Sequence, residues 1–285
     1  MLSLRQLEIF IAIVDQGSTT LAADRVARSQ SAISSALTEL ENRLGVALFD
    51  RVGRRLVLND NGERFYPQAR LLIQQADTLS GLFREDGGRL KIGASTTIGN
   101  YVLPSILAQS NRLLCRQIVI ANTREIAERV ARCELELGLV EAKLQHPELS
   151  VSQWQQDEMV IVAASNTPWA ALTDEASTLA QAPWILRELG SGTRSIVEQQ
   201  LLGDLEAVNI ALELGSSEAI HNAVLAGLGI SCLSRHVVQR SLASGTLQLI
   251  APQRTVSRCF YIIRHRQRQV SRLAERFLAL CGWEV

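Results

Sequence analysis

Five small or amide side chains, Gln30, Ser31, Ser34, Ser35 and Thr38, share one face of a short predicted helix, and no acid occurs between Arg25 and Thr38. Their chemistry is hydrogen bonding without bulk: an amide pairs bidentately with adenine, and a hydroxyl bonds to several bases. Arginines flank the group. Arg28 precedes the helix, and Arg51, Arg54 and Arg55 follow on a Gly-containing turn, so that residues 25–55 hold six arginines against three acids. Guanidinium groups beside such a helix suit phosphates or the minor groove. Taken alone, the three turn arginines would equally be a solvated loop.

The elements that must position these residues are legible from periodicity. Leu4, Leu7, Ile11 and Val14 recur at helical steps and Gly17 stops the run. Ser18 or Thr19 can cap a second short helix over 21–27. After the polar break Arg28-Ser29-Gln30, Ile33, Leu37, Leu40 and Leu44 mark a third helix that Gly45 ends as a C-cap. Two short helices joined by a tight turn form a helix-turn-helix, whose second helix enters the DNA major groove. Residues 48–58 read as a hairpin around Gly53.

Asn59 or Asn61 can cap the next helix. Phe65, Ala69, Leu72, Ala76, Leu79 and Phe83 step by four and three, the seam of a helix that pairs with a second copy. An ordinary amphipathic helix packed on its own chain is the alternative. Pro67 marks either the start of this helix or a kink. A polar stretch ending in Gly87-Gly88 is a hinge, placed at 85–89. Beyond it, strands (90–94, 118–120, 135–140, 159–164, 184–187, 210–214, 230–233) alternate with helices (98–111, 123–132, 194–202, 218–226), the pattern of a parallel sheet.

Three later segments share a strand, then hydroxyl or glycine residues, then a helix: Ser95-Thr96-Thr97, Ser191-Gly192-Thr193-Arg194 and Ser216-Ser217. Each would present N–H groups and the positive helix end, the makings of a site for a small oxyanion or carboxylate. Plain N-capping is the alternative for each. Arg194 either adds charge there or pairs with an acid.

Composition bounds the rest. The 285 residues are 47% hydrophobic and 20% charged, which excludes disorder and allows two or three domains. No apolar run approaches the ~18 residues of a membrane span and no basic leader precedes one, so a cytoplasmic protein with no membrane partner is expected. The five cysteines (Cys115, Cys133, Cys232, Cys259, Cys281) lack metal-ligand spacing and are expected to be inert thiols, with redox sensing or a metal as the alternative. Neither a metal nor a cofactor is expected. The zero net charge is a cancellation: residues 61–253 hold 15 basic groups and 20 acids, whereas residues 254–276 hold seven arginines and one acid. That basic stretch either pairs with the acidic middle, across a lobe or subunit surface, or adds a second DNA contact. Enzyme motifs are missing: there is no G-x-S-x-G, no phosphate loop, and His146, His221, His236 and His265 have no partner at metal or triad spacing. Ser217 with His221 is read as a chance proximity.

The run Leu4-Arg5-Gln6-Leu7 with Phe10, then Gly17-Ser18, Ala22-Ala23, Ser29-Gln30-Ser31-Ala32-Ile33-Ser34, Leu40-Glu41, Leu44-Gly45 and Leu48-Phe49-Asp50-Arg51 closely resembles the LysR-type transcriptional regulators, and the resemblance extends over essentially the whole chain. Asn59 departs from the family's usual threonine, and either residue caps a helix. The segments 95–101, 183–188, 190–194 and 229–235 look most like the YeiE-like and CysL-like branch linked to sulfite and sulfur metabolism, although regulators of carbon fixation share much of 190–194. The resemblance implies an α/β chain with a mainly α N-terminal winged helix-turn-helix (1–60), a linker or dimerisation helix (61–84), the hinge, and a two-lobed α/β effector domain like periplasmic binding proteins (90–285). Lobe I is expected over about 90–161 and 267–285, and lobe II over about 162–266. The implied partners are double-stranded DNA, a small-molecule effector, a second or further copies of the chain as homodimer or homotetramer, and RNA polymerase. A cytoplasmic solute-binding protein or an enzyme on the same two-lobed fold is the alternative.

Overall fold

A computed structural model of the chain describes residues 2–52, 55–81, 90–109, 115–203, 205, 207–254 and 256–283. They divide into two compact units: residues 1–88, and the chain from residue 89 onward apart from 132–134.

The first unit opens with α1 (Leu4–Gln16), α2 (Thr19–Arg25) and α3 (Gln30–Leu44). A serine caps each start: Ser3 accepts from the Gln6 N–H within a reciprocal capping box, Ser18 from that of Thr20, and Ser29 from that of Ala32. Gly45 closes α3 at φ 71°, in the left-handed region where a Cβ is costly. Leu7, Ile33, Leu37 and Leu40 are buried around Phe10, whose ring meets Phe49 and Phe65 at centroid distances of 5.6 and 5.2 Å. Leu4, expected on the same stripe, is exposed. Strands β1 (Phe49–Val52) and β2 (Arg55–Leu58) pair antiparallel, with Val52 opposite Arg55, and make the wing.

Helix α4 (Asp60–Gly81) is capped by Asn59, whose Oδ1 accepts from the Gly62 N–H at 3.0 Å. It starts well before Pro67, so the proline lies within the helix and does not begin it. Tyr66 is buried against the three-helix core; its hydroxyl donates to Asp15 Oδ1 at 2.7 Å and accepts from Arg70 Nε at 2.9 Å. Burial raises the Tyr66 pKa and keeps it a donor. These contacts correct the predicted pairing seam. Ala69 is buried in the core of this unit and Phe65 packs on it, because a core this small needs the first turns of α4 to close it. Leu72 and Leu79 are 48% and 66% exposed and Ala76 is half-buried. Phe83 and the hinge at 85–89 lie outside the described residues.

In the second unit β3 (Leu90–Ser95) pairs parallel with β4 (Cys115–Ala121) and β5 (Leu137–Val140). The helix read over 98–111 is a π-helical turn (Ile98–Val102) leading into α5 (Leu103–Leu107), and α6 (Thr123–Ala131) follows β4 as expected. The expectation of a parallel sheet fails at β6 (Leu149–Ala164), which runs antiparallel to the later strands β9 (Ser231–Ser234), β10 (Leu247–Leu249) and β11 (Val256–His265). A separate parallel pair joins β7 (Trp184–Arg187) to β8 (Ile210–Leu214), and a bridge from Trp184 to Ile230 brings that pair alongside β9. Between these strands lie α7 (Ala176–Gln181), α8 (Gly192–Val197), α9 (Ser217–Leu225) and α10 (Arg235–Ala243), and α11 (Arg272–Leu280) ends the fold.

The long strands β6 and β11 belong to two lobes. Leu149 and Ile263 are buried in one hydrophobic cluster with Ile126 and Val140, whereas Met159 and Val256 are buried in another with Trp184 and Ile230. The chain therefore crosses between lobes near Asp157 and again near Arg258. The second crossing lies earlier than the expected 266/267 boundary, because the later half of β11 pairs with β5. The first crossing likewise precedes the expected 161/162 boundary.

Candidate functional site

On α3, Gln30, Ser31, Ser34, Ser35 and Thr38 are all exposed, as are Arg28 before it and Arg51 on β1. Ile33, Leu37 and Leu40 bury the opposite face, so core packing aims the polar one outward. The groups are lightly engaged: Thr38 Oγ1 donates to the Ser34 carbonyl at 3.0 Å, the Ser31 and Ser29 hydroxyls meet at 3.0 Å, and Gln30 Nε2 reaches Thr19 Oγ1 at 3.5 Å. Arg54 and the side chain of Arg55 lie outside the described residues.

The second unit concentrates its polar chemistry between the lobes, around two buried arginines that the sequence reading did not place in a site. Arg187, at the end of β7, is 2% exposed. Its Nη1 donates to Thr96 Oγ1 at 2.5 Å and to Ser217 Oγ at 3.2 Å, and its Nε and Nη2 hold Glu188 at 2.7 and 2.8 Å. Burial would raise the Glu188 pKa, but the Arg187 guanidinium outweighs it and holds the carboxyl below the usual range. Because Thr96 and Ser217 accept from Arg187, each keeps its own O–H proton for another acceptor.

Arg258 faces Asp157 in the cross-strand register of β11 and β6, and donates Nε to Asp157 Oδ2 at 2.7 Å. Its Nη1 reaches Glu141 Oε2 at 3.0 Å and Thr193 Oγ1 at 2.9 Å, and its Nη2 lies 3.5 Å from Thr97 Oγ1. Glu141, just past β5 and fully buried, also accepts from the Thr97 N–H at 2.8 Å and from Thr193 Oγ1 at 2.5 Å. Ser234 Oγ donates to Asp157 Oδ1 at 2.8 Å. Burial opposes ionisation of Glu141, yet the Arg258 charge and these hydrogen bonds hold its carboxyl below the usual range. Ser95 Oγ is close enough to favour the ionised Glu141 but makes no well-formed hydrogen bond, and buried Thr123 Oγ1 has none in the protein. A Cβ on Gly192 would come within 2.7 Å of that Thr123 oxygen, so glycine lets the start of α8 close on the other lobe.

The nine residues predicted for an effector thus divide by what they touch. Thr96 and Ser217 converge on Arg187, while Thr97 and Thr193 are engaged by Glu141 and Arg258. Ser191 and Ser216 cap α8 and α9 by accepting from the Arg194 and Ala219 N–H groups. Arg194 does not face the cleft chemistry: it pairs with Glu198 and Glu213 and donates to the Arg187 carbonyl. Within the basic 254–276 stretch, Arg258 pairs as above and Arg268 pairs with Glu136 at 2.9 Å, both inside their own unit. His221 Nε2 meets Ser241 Oγ at 2.8 Å, whereas Ser217 belongs to Arg187. Cys232 is buried, and burial pushes its thiol up to about 12, an unreactive state. Among the described residues no group of side chains could hold a metal ion, and no helix is long and apolar enough to cross a membrane.

A winged helix-turn-helix with an outward polar face, on one chain with a two-lobed α/β unit whose cleft is polar, defines a ligand-responsive DNA-binding regulator. Residues 4–63 match the family described as bacterial regulatory helix-turn-helix protein, lysR family, and residues 83–283 match the LysR substrate binding domain. The chain belongs to the LysR family of transcriptional regulators. It is 45% identical over 284 residues to the HTH-type transcriptional regulator YeiE of Escherichia coli K12, covering 98% of this chain and 97% of that one. It is 31% identical over 252 residues to the HTH-type transcriptional regulator CysL of Bacillus subtilis, covering 86% and 84%. A solved full-length variant of OxyR from Pseudomonas aeruginosa shares the fold at a TM-score of 0.78 and 22% identity, over 99% of this chain and 94% of that one. The protein is accordingly a DNA-binding transcription regulator with a small-molecule effector domain, and not an enzyme.

Proposed function

We propose that this regulator senses a small oxyanion, sulfite first among the candidates, held between the lobes by Arg187, Thr96 and Ser217. The observation that carries this is the donation of one buried guanidinium to two hydroxyls from different lobes, which leaves two O–H donors for one anion beside a guanidinium whose charge Glu188 balances. The resemblance to the YeiE-like and CysL-like branch, with 31% identity to CysL, favours a role in sulfur metabolism. Calorimetric titration of the full chain with sulfite, sulfate and small carboxylates tests this. Binding should weaken several-fold in Thr96→Val and tenfold or more in Arg187→Gln; no binding of any of these anions to the unaltered protein removes the proposal.

On DNA, Gln30, Ser31, Ser34, Ser35 and Thr38 read bases while Arg28, Arg51, Arg54 and Arg55 meet phosphates. The protein works in the cytoplasm as a dimer or tetramer, with RNA polymerase as a further partner, and the exposed Leu72 and Leu79 with half-buried Ala76 pair the linker helices. Effector binding biases the lobes toward one arrangement and so repositions the two heads. Replacing Leu72 and Leu79 by Asp should dissociate the oligomer in sedimentation velocity while leaving each head folded. An unchanged sedimentation coefficient would remove this pairing.

A further inference from the structure

A groove of about 480 Å³ opens beside the reading face of the first unit, between the first turn of α1 and one flank of α3. Arg5, Arg28 and Arg43 line it together with Glu39, and Ala32 and Ala36 are part of its wall. All three arginines are exposed, and neither helix carries an acid in its first turn. Gln6, 7% exposed, donates Nε2 to Glu39 Oε2 at 3.4 Å, so the groove's single acid is held in place. Ala32 and Ala36 adjoin Ser31 and Ser35 in sequence. The groove therefore runs along α3 one step around the helix from the groups that face outward to read bases. When a helix lies in the major groove, its flanks face the phosphate strands, and alanine walls let a sugar-phosphate backbone approach closely.

We infer that this groove is an additional DNA-contact surface: Arg5, Arg28 and Arg43 seat phosphates of the strand that borders the reading helix, and Glu39 tempers that attraction. The inference rests on α3 reading the major groove, and it extends the contacts to α1 and to Arg43 near the end of α3. Each phosphate neutralised steepens the salt dependence of binding by about 0.9 in log K against log salt.

The test uses the full chain and a duplex selected by it from a random-sequence pool, with affinity followed by fluorescence anisotropy between about 50 and 200 mM salt. Arg5→Ala and Arg43→Ala should each flatten the slope by about 0.9, and Arg5→Lys and Arg43→Lys should keep it. Glu39→Gln should tighten binding several-fold with no change in sequence preference. Ser34→Ala should do the reverse, altering base preference at an unchanged slope. If the Ser34 variant behaves so while the alanine variants keep the full slope, or lose affinity equally at both salts, the groove is not a phosphate seat; a Glu39→Gln protein that binds no tighter overturns it as well. If Ser34→Ala changes nothing and the arginine variants flatten the slope, the groove stands and the base-reading face is what fails.

Discussion

The two units handle polar side chains in opposite ways. On α3, Gln30, Ser31, Ser34, Ser35 and Thr38 stand in solvent with few bonds, whereas Arg258 is buried and bonded to buried Asp157 and Glu141, and Arg187 is buried and bonded to Thr96, Ser217 and Glu188. An exposed hydroxyl is already hydrated, so it can exchange water for a base edge at little cost to the fold. A buried carboxylate or guanidinium has lost its water and is tolerable only while its partners stay in place. The first arrangement presents a surface that changes partners readily. The second ties function to lobe geometry, because Glu141 and Thr97 come from one lobe, Thr193 from the other, and Arg258 from the crossing between them.

Three experiments would sharpen or break this contrast. Arg258→Met leaves Asp157 and Glu141 without their shared cation and should destabilise the second unit by about 3–5 kcal/mol in urea unfolding. A loss under about 1 kcal/mol would mean that the network tolerates an unpaired charge, as surface sites do. A smaller effect follows from pH. The Glu141 carboxyl titrates lower in the folded protein than in the unfolded chain, so its stabilisation is complete above the ordinary carboxylate range and is lost as pH falls through that range toward the folded value. Glu141→Gln should therefore flatten the acid limb of a melting-temperature profile; an unchanged acid limb would show that Glu141 is not what acid removes. Smallest for stability is Ser34→Ala, expected within about 0.5 kcal/mol of the parent in the same urea experiment. A larger loss there would mean that the reading face is part of the fold rather than a surface kept for DNA.

Much of the head was legible because its signals are local. Gly17, Ser18, Gly45 and Asn59 act on neighbours within four residues, and Ile33, Leu37 and Leu40 reveal their shared face by spacing alone. The first half of β6 escaped because Gln153, Gln155, Gln156, Asp157 and Glu158 break any apolar alternation, and that half is held by pairing with β11. Arg258 looked like one more charge in a basic stretch for the same reason: its partners Asp157 and Glu141 lie 101 and 117 residues away. Of the three helix-start segments, two cap their helices through Ser191 and Ser216, whereas Thr97 makes no side-chain cap. Which of the remaining hydroxyls meet an arginine depended on the approach of separate elements.

By itself the sequence determined the positions of the head's helices and which face of α3 meets solvent, since each follows from interactions within a few residues along the chain, and the class of protein through its resemblance to a known family. Only the tertiary structure decided that Arg187 gathers Thr96 from 91 residues away and Ser217 from 30, that Arg258 lies at the crossing of the lobes, and that Ala69 belongs to the head's core. Strand register and lobe packing set those distances, and no local propensity encodes them.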